Sequence, residues 1–288
     1  MFSTNVKVAK AENKNPPFLL IVGCGRSGNT LLRRLMMERL DIYIPPETYV
    51  LSKIADYRIR ARSLKWPSIV DLVVSAFEYH PEFETFAVSG LREYALKAKN
   101  WKKEDQTVTQ LITGLYAWWA EKDGIPGSWT GDKTPKNVLH LGSIAKVLPK
   151  AKYIYILRDG ADVSASYMKS GIYQNIEDAG RRWVTSHKSW VHFKKKLADD
   201  AYMELKYENL VVDSERTIQK IQNRFEIPSR YKGDIVAHLG DVPMRSHHSN
   251  VLEPVSNASI GKGRESLSEQ QKQLLRPLIN RSLVDTGY

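Results

Sequence analysis

Residues 19–35 read LLIVGCGRSGNTLLRRL: an apolar run, a glycine-rich turn, then an amphipathic stretch. A strand that breaks at glycine and re-enters the chain as a helix aims backbone N–H groups outward from a helix N-terminus, where an anion is favoured. Two spacings fit the turn. Gly23-x-Gly25-x-x-Gly28 has the form of a dinucleotide-binding turn, whereas Gly23 through Thr30 has the form of a P-loop with Asn29 in the lysine position.

Outward from this stretch, strands and helices alternate. Phe18–Val22 reads as a buried strand, Thr30–Leu40 as the following helix, and Asp41–Ile44 as a second strand stopped by Pro45-Pro46. From Thr48 to about Gly127 the pattern is helical, clearest in the i, i+3, i+4, i+7 stripe of Val108, Leu111, Ile112, Leu115, Tyr116 and Trp119. Ser128–Gly131 reads as a short strand, and Pro135–Leu148 as a helix begun by proline. Ala151–Leu157 (AKYIYIL) is a strongly apolar strand, followed by helices at about Gly160–Ser170 and Ile176–Leu197. A strand at Ala201–Lys206 and helices near Ser214–Phe225, Arg230–Leu239 and Leu267–Asn280 finish the chain. This order predicts an α/β fold: a three-layer sandwich around a central, mainly parallel sheet, with a helical insertion after the second strand.

The 288 residues, 42% of them hydrophobic, suffice for one core. The expected organisation is a loose leader over residues 1–16 and a single domain over 17–288, in which about 48–127 form a helical cover. Lysine and arginine number 43 against 32 acids, a formal net charge of +11. Such an excess fits a basic surface or an acidic ligand. No zinc-finger spacing, RNA-binding aromatic motif or basic arm accompanies it, so nucleic acid is not expected. The single cysteine, Cys24, excludes an intramolecular disulfide, suits a reducing compartment, and reads as a small packing residue within the loop. The leader lacks the apolar core of a signal peptide, and no window approaches the roughly 20 apolar residues of a membrane span. A cytoplasmic protein without an integral membrane segment is expected.

A nicotinamide-binding turn needs an acid closing the second strand. Glu47 has about the right distance, but two prolines separate it from that strand. A nucleotide kinase or NTPase needs a lysine on the β- and γ-phosphates and two magnesium ligands. Thr30 supplies one hydroxyl, Asn29 carries no charge, and YIYILRD puts Arg158 ahead of Asp159 where the second ligand would stand. The third reading is a cradle for a group with no γ-phosphate to transfer, in which cationic side chains stand in place of magnesium.

Two segments favour that third reading. Phe18-Leu-Leu-Ile-Val-Gly-Cys-Gly-Arg-Ser-Gly-Asn-Thr-Leu-Leu resembles the 5'-phosphosulfate loop of the sulfotransferase family, and Ile156-Leu-Arg158-Asp-Gly-Ala-Asp162-Val-Ser-Ala-Ser166 is similar to its 3'-phosphate motif. Further pieces follow in family order: Gly131-Asp-Lys133-Thr-Pro135, Arg182-Trp183, Lys206-Tyr207-Glu208-Asn209-Leu210-Val211, and Ile260-Gly-Lys262-Gly-Arg264-Glu-Ser-Leu-Ser. The resemblance spans roughly residues 17–280 and implies a P-loop-like fold that moves a sulfuryl group from 3'-phosphoadenosine 5'-phosphosulfate (PAPS) to a hydroxyl or amine, with no metal.

It also implies roles. Arg26, Ser27, Gly28, Asn29 and Thr30 would clasp the 5'-phosphosulfate, with Arg26 as the charged contact. Arg158 and Ser166 would hold the 3'-phosphate. An arginine fork meets phosphate with two hydrogen bonds, although an ion pair of Arg158 with Asp159 or Asp162 is the plainer alternative. Lys133 would face the bridging oxygen. Tyr207 would pack near the adenine, and the flexible Lys262-Gly263-Arg264 loop would close over the nucleotide.

Glu47, soon after the second strand, is the candidate general base, with burial expected to raise its affinity for a proton. A first-turn acid at a helix N-terminus is its structural alternative. His140 is the fallback base, and the other histidines (His80, His187, His192, His238, His247 and His248) read as packing or surface residues. The acceptor would lie against the aromatic-rich 48–127 region, containing Tyr49, Tyr57, Trp66, Tyr79, Trp101, Trp118 and Trp119. A small metabolite, lipid or glycan is expected as acceptor ahead of a protein. A homodimer and a nucleotide-binding regulatory module without catalysis both stay open.

Overall fold

In the computed structural model, residues 15–60, 63–230 and 253–286 are described. Among these residues five strands form one sheet: β1 (Phe18–Gly23), β2 (Ile42–Tyr43), β3 (Trp129–Lys133), β4 (Lys152–Leu157) and β5 (Tyr202–Lys206). Their spatial order is β2-β3-β1-β4-β5, and every neighbouring pair runs parallel. A parallel sheet is covered on both faces, so its central strands read as unbroken apolar runs. All six residues of β1, FLLIVG, are buried accordingly.

The helices fall where hydrophobic periodicity places them. α1 (Asn29–Arg39) follows β1, and α2 (Leu51–Arg60), α3 (Trp66–Glu78), α4 (Leu91–Lys99) and α5 (Val108–Lys122) make up the insertion. The α5 stripe is core: Leu111, Ile112, Leu115, Tyr116 and Trp119 are each fully buried. After β3 come α6 (Leu141–Val147), then α7 (Gly160–Lys169) and α8 (Ile176–Lys194) beyond β4, and α9 (Tyr207–Val212) and α10 (Ser214–Phe225) beyond β5. α11 (Lys262–Ser266) and α12 (Glu269–Thr286) close the described chain. No helix among the described residues is long and apolar enough to cross a membrane.

Several expected boundaries move. β2 shrinks to Ile42–Tyr43, at the edge of the sheet, where it pairs with Trp129 and Thr130. β3 runs on to Lys133 although Gly131-Asp132-Lys133 is not apolar, because its polar ends find buried partners. Asp132 accepts from Tyr116 (2.9 Å), Thr48 (3.0 Å) and Asn137 (2.7 Å). The expected Pro135–Leu148 helix splits into a 3-10 turn, Pro135–Leu139, and α6, with His140 at the junction. α8 stops three residues short of Leu197, and the terminal helix runs past Asn280 to Thr286. The helix expected at Arg230–Leu239 lies, beyond Arg230, outside the described residues, as do leader residues 1–14 and His238, His247 and His248.

This topology fixes where a ligand can sit. The chain leaves β1 for β3 and β2 on one side, then crosses to β4 and β5 on the other. The crevice where it divides lies beyond the carboxyl ends of β1 and β4, where parallel sheets bind ligands. β1 and β4 must also approach closely: a Cβ on Gly23 would stand 2.5 Å from the Ile156 carbonyl oxygen. Gly23→Ala is therefore expected to force the pair apart and cost about 1–3 kcal/mol, read as a lower urea midpoint at unchanged slope.

Candidate active site

The turn after β1 is braced from within. Arg26 and Gly28 hold left-handed backbone, at φ 69° and 89°. Asn29 is 3% exposed and donates its side-chain amide to the Cys24 carbonyl at 2.8 Å, so the residue in the lysine position tethers the loop to itself. Gly28 is required by a close approach, since a Cβ there would meet the Tyr207 ring at 2.3 Å. Cys24 is buried, its sulfur 3.5 Å from the Tyr167 hydroxyl, and burial pushes its thiol up. Ser27 Oγ and Asn29 Oδ1 are buried with no partner among the described residues.

Arg158, the first residue past β4, faces this loop. It donates to the Arg26 carbonyl (3.2 Å) and the Ser259 carbonyl (2.8 Å), and its guanidinium lies 4.4 Å from the centroid of the Tyr207 ring. Asp162 is 3.6 Å away, the ion pair foreseen as the plain alternative. Even so, Arg158 Nε is buried without a partner among the described residues. Trp183 donates to the Arg158 carbonyl at 3.0 Å, which fixes the strand end from α8. Arg26 donates to Ser166 Oγ at 3.1 Å, so the turn after β1 and the helix after β4 touch. Burial pulls the Arg26 guanidinium below the ordinary arginine range, and the Arg158 charge adds to this.

The 259–264 segment lies across the same corner. Tyr207 and Ser259 share a hydroxyl hydrogen bond of 2.6 Å, and Asp162 accepts from the N–H groups of Gly261 (2.8 Å) and Arg264 (3.0 Å). The Arg264 side chain bonds Asp159 at 2.5 Å, while Asp159 also caps α7 through the N–H groups of Ala161 and Asp162. Gly263 seats α11 on α7, for a Cβ there would lie 2.6 Å from the Asp162 Cα. A cavity of about 270 Å³ opens among Asp159, Asp162, Glu208, Ile260, Arg264 and Glu265.

On the other side of the loop, Lys133 ends β3 with its ammonium fully buried. It donates to Glu47 Oε1 at 2.5 Å and to Thr30 Oγ1 at 3.1 Å. Glu47 is 8% exposed, and its second oxygen accepts from the Tyr49 hydroxyl. The Lys133 ammonium and the Glu47 carboxylate thus form an ion pair at 2.5 Å that is almost wholly closed to solvent. The loop carrying Glu47 is anchored by Thr48, which bonds Asp132 and Tyr116 through its hydroxyl and Thr134 through its N–H. Burial raises the Asp132 carboxyl above the usual carboxylate range, with hydrogen bonds from Tyr116 and Thr48 pulling the other way.

Most of the residues singled out in the sequence thus converge. Arg26, Ser27, Gly28, Asn29 and Thr30 form the loop, and Arg158, Ser166 and Tyr207 flank it on one side. Glu47 and Lys133 stand on the other, joined to it through Thr30. The structure redistributes their partners: Ser166 meets Arg26, and the Tyr207 ring lies under Arg158. Lys262 is exposed on α11, and Arg264 is engaged with Asp159 at 60% side-chain exposure. His140 sits at the start of α6. Sequence reasoning gave no site role to Thr48, Asp132 and Ser259, and it placed Tyr49 only among the aromatics of the cover. The signal for Thr48, Tyr49 and Asp132 was the Glu-Thr-Tyr run after Pro45-Pro46 facing the Gly-Asp-Lys strand end, whereas Ser259 carries no pattern of its own.

A profile of the sulfotransferase family matches residues 17–231. The chain belongs to the sulfotransferase family. Protein-tyrosine sulfotransferase 1 of Danio rerio is 22% identical over 96% of this chain and 75% of its own length. Among solved structures, the sulfotransferase domain from the Synechococcus PCC 7002 olefin synthase shares the fold at a TM-score of 0.58. It is 20% identical, with 92% of this chain and 96% of that one covered. The sulfotransferase domain from the curacin biosynthetic pathway matches at the same TM-score with 17% identity, over 91% and 97% of the two chains.

The internal brace makes the turn testable apart from any ligand. Asn29→Ala leaves the Cys24 carbonyl without its side-chain donor and should lower stability by about 1 kcal/mol. Asn29→Lys, which restores the P-loop spelling, should lose the same brace and gain no magnesium-dependent ATP binding by calorimetry.

Proposed function

We propose that this sulfotransferase moves a sulfuryl group from 3'-phosphoadenosine 5'-phosphosulfate to an acceptor hydroxyl (or amine) by in-line transfer, with Glu47 as general base and without a metal. One observation carries the reading. The Arg158 guanidinium donates to the Arg26 carbonyl at a turn where Ser27 Oγ and Arg158 Nε are buried with hydrogen-bonding capacity left over. Buried donors without partners are costly, and a ligand with several anionic oxygens satisfies them. The depressed proton affinity of Arg26 has the same sense: it comes first from burial and to a lesser extent from the Arg158 charge, and an anion at the loop offsets both. The residues present therefore fit the donor.

The division of labour follows from position. The turn and the α1 N-terminus hold the 5' end through backbone N–H groups, with Arg26 and Thr30 beside them. Arg158 and Ser166 take the 3'-phosphate, the group that separates this donor from ordinary adenine nucleotides, and Tyr207 with the Lys262-Gly263-Arg264 segment covers that side. Lys133, within reach of both Thr30 and Glu47, balances the charge that grows on the bridging oxygen as the sulfur–oxygen bond breaks. Glu47 accepts the proton of the acceptor hydroxyl as its oxygen bonds to sulfur. The acceptor comes from the α2–α5 side, and a hydroxyl-bearing small metabolite, lipid or glycan suits a cover built of helices with aromatic side chains.

Calorimetric titration in EDTA tests the donor. Adenosine 3',5'-bisphosphate should bind at least about tenfold more tightly than ADP, a difference owed to the charged two-point contact at the 3'-phosphate. Arg158→Ala should erase that preference. Binding of ATP that requires magnesium would overturn the reading in favour of a nucleotide kinase or NTPase. Glu47→Gln should hold the donor with unchanged affinity yet transfer to a hydroxyl panel on the order of 100-fold more slowly. Wild-type protein that binds the bisphosphate but transfers to no acceptor and never turns over the donor would instead identify a regulatory binding module.

A further inference from the structure

Tyr49 has a conformation its residue type does not choose. Its φ is 56°, in the left-handed region, where a bulky aromatic side chain is an outlier. Such residues persist where their surroundings over-determine them, and they cluster at functional sites. Two restraints hold this one. The preceding residue, Thr48, is clamped through its hydroxyl and its N–H to β3, Tyr116 and Thr134. The ring stacks on His80 with centroids 5.7 Å apart and planes 13° from parallel, and His80 in turn packs on Phe86 at 5.4 Å. In this conformation the phenol turns back and donates to Glu47 Oε2.

We propose that Tyr49 is the positioning residue of Glu47: its hydroxyl fixes Oε2 and so leaves Oε1 as the oxygen that takes the acceptor's proton. This rests on the reading of Glu47 as the base. Lys133 divides its ammonium between Oε1 and Thr30 Oγ1. A donor in the loop competes for that ammonium, and Oε1 is the oxygen it releases, while Oε2 stays held by the phenol. The proton passes from the acceptor hydroxyl to Oε1, the acceptor oxygen bonds to sulfur, and the electron pair of the broken sulfur–oxygen bond stays on the 5'-phosphate. Besides Tyr49, the charged or titratable groups that act on Glu47 include Lys133 and Asp132 from β3 and Arg26 from the loop. Removing the phenol's hydrogen bond takes away one interaction that favours the carboxylate, so the pH at which Glu47 becomes a base must rise.

The test uses Tyr49→Phe, which keeps the ring and its stack and removes only the hydroxyl. The readouts are release of adenosine 3',5'-bisphosphate from the donor with water as acceptor, and the carbon-13 titration of the Glu47 carboxyl, identified by its disappearance in Glu47→Gln. Turnover should fall about tenfold at unchanged KM for the donor, and both the acid limb and the carboxyl titration should move up by about one pH unit. The Glu47→Gln/Tyr49→Phe double variant should be no slower than Glu47→Gln alone, because the phenol acts through the carboxylate. A structural role alone would leave the titration in place and multiply the two losses. Glu47→Gln at the wild-type rate removes the base and this proposal with it. A slow Glu47→Gln beside a Tyr49→Phe unchanged in rate, acid limb and titration overturns the role of Tyr49 alone.

Discussion

The parallel pairing of β1 on both edges is the constraint to which the candidate site is referred. Its register sets Ile21 against Lys133 on one side and Gly23 against Ile156 on the other. Lys133 and Arg158, more than twenty residues apart in sequence, therefore arrive on opposite flanks of the turn that follows Gly23. A one-residue slip of either neighbour would turn these side chains to the other face of the sheet. The closeness of Gly23 to the Ile156 carbonyl belongs to the same constraint, since the cradle narrows only as far as β1 and β4 can approach.

Around that frame the charges are arranged unevenly. The acids near the loop are occupied: Glu47 by Lys133 and Tyr49, Asp159 by Arg264 and the α7 N-terminus, Asp162 by Arg158 and the N–H groups of Gly261 and Arg264. Arg158 retains capacity, for its Nε has no partner among the described residues, and burial lowers the proton affinity of Arg26. Burying an ion pair such as Lys133–Glu47 contributes little net stability once desolvation is counted. Its value here is positional, because it ties the end of β3 to the loop carrying Glu47 and, through Thr30, to the start of α1.

The sheet, its direction and the two strand–turn–helix units at β1 and β4 were legible in the sequence because each rests on a local pattern: an apolar run, a turn, a helix start. The α5 stripe and α10 were readable for the same reason. What escaped depends on tertiary partners. Asp132 and Lys133 look like loop residues until Tyr116, Thr48 and Glu47 are folded onto them, which is why β3 appeared to end at Gly131. Pro135–Leu148 carries the pattern of one helix, but Asn137 turns inward to Asp132 and the segment divides. Tyr49 reads as one more aromatic of the cover, since nothing in the sequence marks a left-handed backbone at a tyrosine.

Cys24 lends the loop one more property. It is the only cysteine in the chain, it sits inside the turn, and its thiol is buried against Tyr167 with its acidity suppressed by that burial. A thiol in that state reacts with alkylating or oxidising reagents only when its surroundings open, so under native conditions its labelling rate reports the opening of the cradle, whether local or as part of a larger unfolding. The protein carries a single-site gauge of its own loop: whatever closes the turn slows the reagent, and whatever loosens the Asn29 brace admits it.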